Sequence, residues 1–349
     1  MAKSRLNTNS LILEIIKVNP LLSSKEIHTK LDAEIGYATL KRILQKLISE
    51  NLIQPSGKGK GTKYQLSQIY ELMRPIDVDV YFQKEIDERL IKDRFNYSLI
   101  PEILNNVSVF TNDELNYLNN FQKIYSENIS KLTDSEYRKE LERWAIDLSW
   151  KSSQIEGNTY SLLETERLLK EKETASGKTK EEAIMLLNHK DALDFILQNP
   201  SYIEPLTISA IEDIHSILIK DLNVARNIRK RRVGISGTNY KPLDNEYQIR
   251  EALQDMCDLI NNQENVFSKA LLALVLLSYI QAFADGNKRT SRIIANAILM
   301  NNNFSPISFR TVDSIDYKKA MLLFYEQNNL SAFKKIFINQ FEFAVRTYF

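Results

Sequence analysis

One cysteine, three histidines, nine glycines and eight prolines stand among the 349 residues, and each scarcity removes a class of protein. The lone Cys257 excludes a disulfide framework and fits a reducing compartment. His28, His189 and His215 are too scattered to suggest a metal cluster. Even the apolar run from Leu271 to Ile280 falls short of the ~18 residues that a membrane span needs, so no membrane partner is expected. The start, Met-Ala-Lys-Ser-Arg-Leu-Asn, has no apolar h-region, and a cytoplasmic protein is the expectation. With so few breakers, apolar residues recur at helical spacing through most of the chain, and a mainly α fold follows.

Net charge is also nearly absent, at +1, yet it is unevenly spread. Residues 1 to 66 hold eleven Lys or Arg against five Asp or Glu, a local +6. Three helical patterns occupy this segment, with Leu11, Ile12, Ile15 and Ile16 in the first and Ser23 or Ser24 capping a second that carries Ile27 and Leu31. The third runs from about Tyr37 to Glu50. A glycine-rich turn with Lys58 and Lys60 then separates two short alternating stretches, the second of which holds Lys63. Three helices followed by a basic hairpin resemble a winged helix. That resemblance implies a third helix in the DNA major groove, presenting Tyr37, Thr39, Lys41 and Arg42, and a wing placing Lys58, Lys60 and Lys63 at phosphate. A protein-binding or dimerising module with a solvated basic wing is the alternative.

The richest chemistry lies at Phe283-Ala284-Asp285-Gly286-Asn287-Lys288-Arg289-Thr290-Ser291-Arg292. A buried helix precedes it, Gly286 turns the backbone, and a second helical pattern begins near Arg289. The turn therefore presents unpaired backbone N–H groups at a helix N-terminus, where an anion is favoured. Arg289 and Arg292, three residues apart, share one face and suit phosphate oxygens. Asp285 is placed to hold a magnesium ion that bridges phosphates.

This segment resembles the signature of the Fic family: His, any, Phe, any, Asp or Glu, Gly, Asn, Gly, Arg, two of any, Arg. The resemblance implies ATP as substrate, magnesium, and transfer of AMP to a hydroxyl of a target protein, possession of Tyr, Ser or Thr defining the acceptor; the chain itself is one candidate target. It assigns Gly286, Asn287, Lys288, Arg289 and Arg292 to the nucleotide, with Tyr317 near the adenine. Two positions depart from it. Gln281 stands where the family has its general-base histidine, and a carboxamide takes no proton at neutral pH, a loss worth ~10²–10⁴ in rate. Lys288 replaces a glycine. In related Doc proteins a lysine here accompanies transfer of the terminal phosphate, but those proteins lack the second arginine, which this chain keeps as Arg292.

Two further segments fit the resemblance. Ser152, Glu156 and Gly157 fill an inhibitory motif whose glutamate, in relatives, pairs with the second arginine and occupies the place of the γ-phosphate. Residues 233 to 242 alternate and then turn at Gly237-Thr238-Asn239-Tyr240, as a short β-hairpin would. They resemble the family's flap, which pairs with an extended target segment.

The expected architecture is a winged helix over residues 1–70, a helical linker or extension over 71–140, and a helical core over 141–349 with the inhibitory helix at its start and the hairpin flap within it. The segment Asp77 to Phe82 reads as linker, and helix is expected from roughly Glu85 onward. His215 sits at helical spacing and reads as a core histidine, a displaced base being its functional alternative. The basic stretch Arg226 to Arg232 reads as a solvated turn or as a surface for an acidic target. Trp144 and Trp150 read as core. Three functions stay open: an autoinhibited adenylyltransferase, a nucleotide-sensing regulator without chemistry, and a Doc-like phosphotransferase. Relatives of the first class often form homodimers.

Overall fold

The computed structural model describes residues 2–31, 35–67 and 69–349; the side chains of residues 2–7 and of Lys60 lie outside the described set. Backbone contacts divide the chain into one unit of residues 1–75 with 109–113 and another of residues 76–108 with 114–349.

The first unit runs α1 (Ala2–Val18), β1 (Leu22–Ser23), α2 (Ser24–Lys30), α3 (Tyr37–Ser49), β2 (Ile53–Ser56), β3 (Lys63–Leu66) and α4 (Tyr70–Met73). Its strands form an antiparallel sheet in the order β1-β3-β2, with Gln54 opposite Gln65 and Leu22 opposite Tyr64. Ser23 starts α2 through a reciprocal box: its Oγ accepts from the Glu26 N–H, and Glu26 accepts from the Ser23 N–H. In α3, Leu40, Leu44 and Leu47 recur on one face and are buried. The opposite face leaves Tyr37, Thr39, Lys41 and Arg42 exposed, and Lys58 and Lys63 are exposed around the turn. Tyr37 is partly committed to the fold, because its hydroxyl lies 2.7 Å from Ser24 Oγ.

The second unit holds α5 (Val78–Tyr81), most of α6 (Asn112–Ile129), α7 (Asp134–Ile155), α8 (Leu162–Glu171), α9 (Lys180–Gln198), α10 (Ile208–Leu218), α11 (Glu246–Asn262), α12 (Val266–Ile280), α13 (Asn287–Asn301), α14 (Ser314–Gln327) and α15 (Ser331–Tyr348). Thr133, Ser161 and Thr179 each open a helix by pairing with a glutamate three residues on, which satisfies two otherwise orphaned N–H groups per helix. From Ala270 to Ile280 every residue of α12 is buried, and α13 packs on α12, α10, α9 and α7. At about 1.5–3 kcal/mol per buried large apolar side chain, this central helix anchors the turn that follows it. None of the described helices is long and apolar enough to cross a membrane.

The mainly α reading holds, with three local corrections. Residues 82–111 are not helical beyond short 3₁₀ and π turns, because part of this segment spends its backbone on the core: Lys92 N–H donates to Glu326 O at 2.8 Å. Asp77 to Phe82 contains the short helix α5, whose N-terminus is capped by the Asp77 carboxylate. Residues 233–242 form a turn at Gly237 rather than a strand-paired hairpin; the pairing recorded there is a single parallel bridge between Arg94 and Lys241. Alternation alone does not make a strand when the partner backbone is supplied from elsewhere in the chain.

Candidate active site

The site begins where α12 ends. Gln281 closes that helix in the left-handed region at φ 53°, and its carboxamide is held on both sides. Its Nε2 donates to Ser278 O at 2.7 Å, while its Oε1 accepts from Asn287 Nδ2 at 3.2 Å. Asn287 in turn stitches the turn together, accepting from the Phe283 N–H at 2.9 Å and donating to Phe283 O at 2.8 Å. Gly286 sits at φ +86°, and a Cβ there would come within 3.3 Å of His215 and Ile219. Only glycine meets both demands without strain.

His215 supports this turn from behind. Its ring stacks on Phe283 with centroids 3.6 Å apart, and its Nε2 lies 2.9 Å from Asp285 O. Burial pushes its pKa down, so a neutral ring donating to Asp285 O accounts for the contact. It does not border the cavity, and the displaced-base reading finds no support in this placement. A second element fastens the same region: Arg229, buried, donates through Nε to Gln281 O at 2.6 Å and through Nη2 to Leu243 O, while its N–H donates to Ala282 O at 3.0 Å. Within the basic stretch Arg226 to Arg232, then, Arg229 is a buried fastener, while Lys230 and Arg232 pair with Glu246 and Asp244 at the surface.

Across the turn stands the end of α7. Glu156 follows its last residue, and Gly157 at φ +103° reverses the chain. The glutamate's two oxygens are each taken by a different cation: Oε1 by Arg292 Nη2 at 2.8 Å and Oε2 by Lys288 Nζ at 2.9 Å. Arg292 is fully buried and also donates to Ser152, through Nε to Oγ at 2.8 Å and through Nη2 to the carbonyl at 3.0 Å. Burial raises the Glu156 carboxyl, but Arg292 and Lys288 outweigh it and hold it at about 2. Arg292 Nη1 has no hydrogen-bond partner among the described residues.

A cavity of about 360 Å³ opens between these parts. Glu156, Gln281, Asp285, Gly286, Asn287 and Lys288 form its polar side; Ile155, Ile235, Met321, Leu322 and Tyr325 supply apolar wall. Neither arginine borders it. Arg289 is buried and pairs with Asp285 at 2.7 Å, and Arg292 is covered by Glu156. Tyr317 is also buried, with the Arg292 guanidinium 5.3 Å from its ring centroid, so α14 offers Met321, Leu322 and Tyr325 to the cavity instead. Those three were missed from sequence, although their spacing along α14 marks one helical face. The chain turns at Ser236–Gly237, and Gly237, Thr238, Asn239 and Tyr240 are not part of the cavity wall, which takes Gly234, Ile235 and Ser236. Trp144 is buried, and Trp150 Nε1 donates to Tyr160 O at 3.1 Å.

The magnesium expectation rests on Asp285. Its side chain is 61% exposed, so it can offer one carboxylate to a cation that takes its remaining ligands from phosphate and water. No cluster of three or more His, Cys, Asp or Glu among the described residues would hold a metal by protein alone.

Comparison with known proteins agrees with this geometry. Residues 205–299 match the model of the Fic/DOC family. The chain is 31% identical over 175 residues to protein adenylyltransferase Fic of Nematostella vectensis, covering 48% of this chain and 40% of that protein. It is 28% identical over 161 residues to protein adenylyltransferase fic-1 of Caenorhabditis elegans, covering 44% and 31%. The chain thus aligns with 31% to 40% of the length of these relatives. Among solved structures, Fic-1 (residues 134–508) from C. elegans superposes with a TM-score of 0.59 at 22% identity, over 68% of this chain and 72% of that one. A Fic family protein from Desulfovibrio desulfuricans gives 0.57 at 19%, over 68% and 74%. These last two likenesses concern the fold. The Phe283–Arg292 turn, with α12 before it and most of α13, lies within the segment, residues 205–299, that matches the Fic/DOC family model.

Proposed function

We propose that this chain is an adenylyltransferase held closed by Glu156, transferring AMP from ATP to a Tyr, Ser or Thr hydroxyl of a protein once that carboxylate is displaced. The observation that carries this reading is the carboxylate bridging Lys288 and Arg292 at the edge of the cavity. An anion held by two cations at a helix N-terminus stands where phosphate would stand. Removing Glu156 bares both cations, while the apolar wall of Ile155, Met321 and Leu322 offers a purine a place to pack. The names of the relatives matched in sequence support AMP as the transferred group. Magnesium, when bound at Asp285, would neutralise phosphate charge. The chain's own residues would orient the nucleotide and exclude water.

Gln281 favours a second reading, a nucleotide-binding switch that does no chemistry. Its Nε2 already donates to Ser278 O, and Tyr325, the nearby phenol, has its pKa raised by burial and stays protonated. Neither side chain takes a proton from an acceptor hydroxyl at neutral pH. Intact mass after incubation with ATP and magnesium separates the readings. The samples are the unsubstituted chain, Glu156→Gly, and Glu156→Gly combined with Gln281→His. An added AMP on the first or second supports a transferase that works without the histidine. AMP on the third alone supports a disarmed scaffold used as a nucleotide switch. No addition on any of the three, even with a hydroxyl-bearing peptide library present, overturns the transferase reading.

For the first unit, we propose a winged-helix role in DNA contact, supported by the exposed Thr39, Lys41 and Arg42 on α3 and by Lys58 and Lys63.

A further inference from the structure

The segment 233–242 has two unlike halves. Gly234, Ile235 and Ser236 line the cavity, and their backbone groups have no hydrogen-bond partner among the described residues. The half that follows is fastened at three points by a segment some 150 residues earlier. Arg89 Nη2 donates to Gly237 O at 2.8 Å, Asn239 Nδ2 donates to Asp87 Oδ1 at 2.8 Å, and Lys241 N–H donates to Asp93 O at 2.8 Å.

Arg89 is itself fixed. Its Nη1 pairs with Glu326 Oε1 at 3.1 Å, both side chains are at least 97% buried, and Tyr81 donates to the same carboxylate at 2.7 Å. The guanidinium also lies 5.0 Å from the Phe82 ring centroid. A buried ion pair is a poor source of net stability, since desolvation offsets most of the attraction. What this pair supplies is geometry: one rigid fork joins α14, through Glu326, to the carbonyl of the turn residue. Gly237 stands at φ +88°, and a Cβ on it would meet Leu322 at 3.3 Å, so the turn is also seated closely on the cavity wall.

We propose that Arg89 is a positioning residue for the protein acceptor. It clips the Gly237 turn to α14, so that the unpaired edge at 234–236 stands ready to receive an extended acceptor segment by main-chain pairing. The inference rests on the adenylyltransferase reading above. It assigns to Arg89 an effect on acceptor binding and none on nucleotide binding.

Three variants test it in the full chain: Arg89→Ala, Arg89→Lys and Asn239→Ala, the last at an exposed position that leaves the buried pair intact. The first readout needs no activity. Hydrogen exchange of the paired amides in 233–241, those of Tyr240 and Lys241, is expected to rise about tenfold or more in Arg89→Ala, with ATP affinity within about twofold of the parent. Arg89→Lys, which keeps the charge but lacks the fork that reaches Glu326 and Gly237 from separate nitrogens, is expected to be intermediate, and Asn239→Ala to show a smaller rise. The second readout is AMP transfer to a degenerate peptide library centred on Tyr, Ser or Thr, in the Glu156→Gly, Gln281→His background. Acceptor KM is expected to rise about tenfold while kcat changes less than about threefold. Unchanged flap exchange in both Arg89→Ala and Asn239→Ala would overturn the clip. A fall in kcat with KM unmoved, or a parallel loss of ATP affinity, would overturn its role in acceptor docking. If the background itself transfers nothing, the transferase reading fails, and the exchange measurement still decides whether Arg89 holds the flap.

Discussion

Lys288 Nζ stands 2.9 Å from Glu156 Oε2, so the lysine found where the family signature has glycine is a partner of the carboxylate at the cavity edge. Under the proposed function this pairing would give Lys288 two opposed effects on ATP. With Glu156 in place, the lysine would help hold the blocking anion; with Glu156 gone, the same ammonium would be free for phosphate.

The sign of the Lys288→Ala effect is therefore expected to depend on residue 156. In the parent chain the substitution weakens a partly buried ion pair worth about 1 kcal/mol and raises ATP affinity several-fold. In Glu156→Gly the same substitution removes a phosphate ligand and lowers it. Titration calorimetry on the four proteins of this double-mutant cycle checks the reversal; effects of equal sign in both backgrounds contradict it.

The closed contact is expected to be indifferent to pH near neutrality. The Glu156 carboxyl is brought down from its ordinary value of 4.5 to about 2. A depressed acid contributes its stabilisation above the unfolded value and loses it as pH falls through the folded one. The loss therefore falls between pH 4.5 and about 2, well outside the working range. The ratio of ATP affinities between Glu156→Gly and the parent should stay constant from about pH 8 to about pH 5.5. A ratio that collapses near pH 6 would place control in another group.

Gly286→Ala is expected to destabilise the second unit. It combines a backbone at φ +86° with a Cβ 3.3 Å from His215 and Ile219, a cost of about 1–3 kcal/mol. The stacked pair His215 and Phe283 would have to move, which displaces Asp285 and Asn287 with it. Thermal unfolding followed by circular dichroism reports the first effect, and ATP affinity the second. An unchanged melting temperature would show that the turn relaxes without strain.

If the first unit contacts DNA through its basic face, each phosphate-binding lysine contributes to the salt dependence of affinity. Lys58→Ala and Lys63→Ala should each flatten the slope of log affinity against log salt by about one, without changing sequence preference. Fluorescence anisotropy with a labelled duplex across a salt series measures this. A slope that ignores both substitutions would leave the basic face to a protein partner.

The sequence made legible what is written in neighbouring residues. The turn at Phe283 to Arg292 shows its glycine, its carboxylate and its helix start within ten positions, and α3 shows its buried leucines by spacing alone. Glu156 with Arg292 was legible only through a resemblance, because 136 residues separate them. The Lys288 contact to the same carboxylate was not legible, since an exposed lysine and one that spans a cavity look alike in sequence. Nor was the fate of Tyr317, whose burial under Arg292 depends on how α13 and α14 meet. The hairpin pairing expected over the segment 233–242 was not found for a related reason. Its alternating residues suggested pairing within the segment, whereas its backbone and side chains are fastened by Asp87, Arg89 and Asp93.

Glu156 caps the far end of a 22-residue helix that starts at Asp134, a rod about 33 Å long. The carboxylate at the cavity edge is thus tied to the full length of that rod, and any shift of the helix along its axis would carry Glu156 with it.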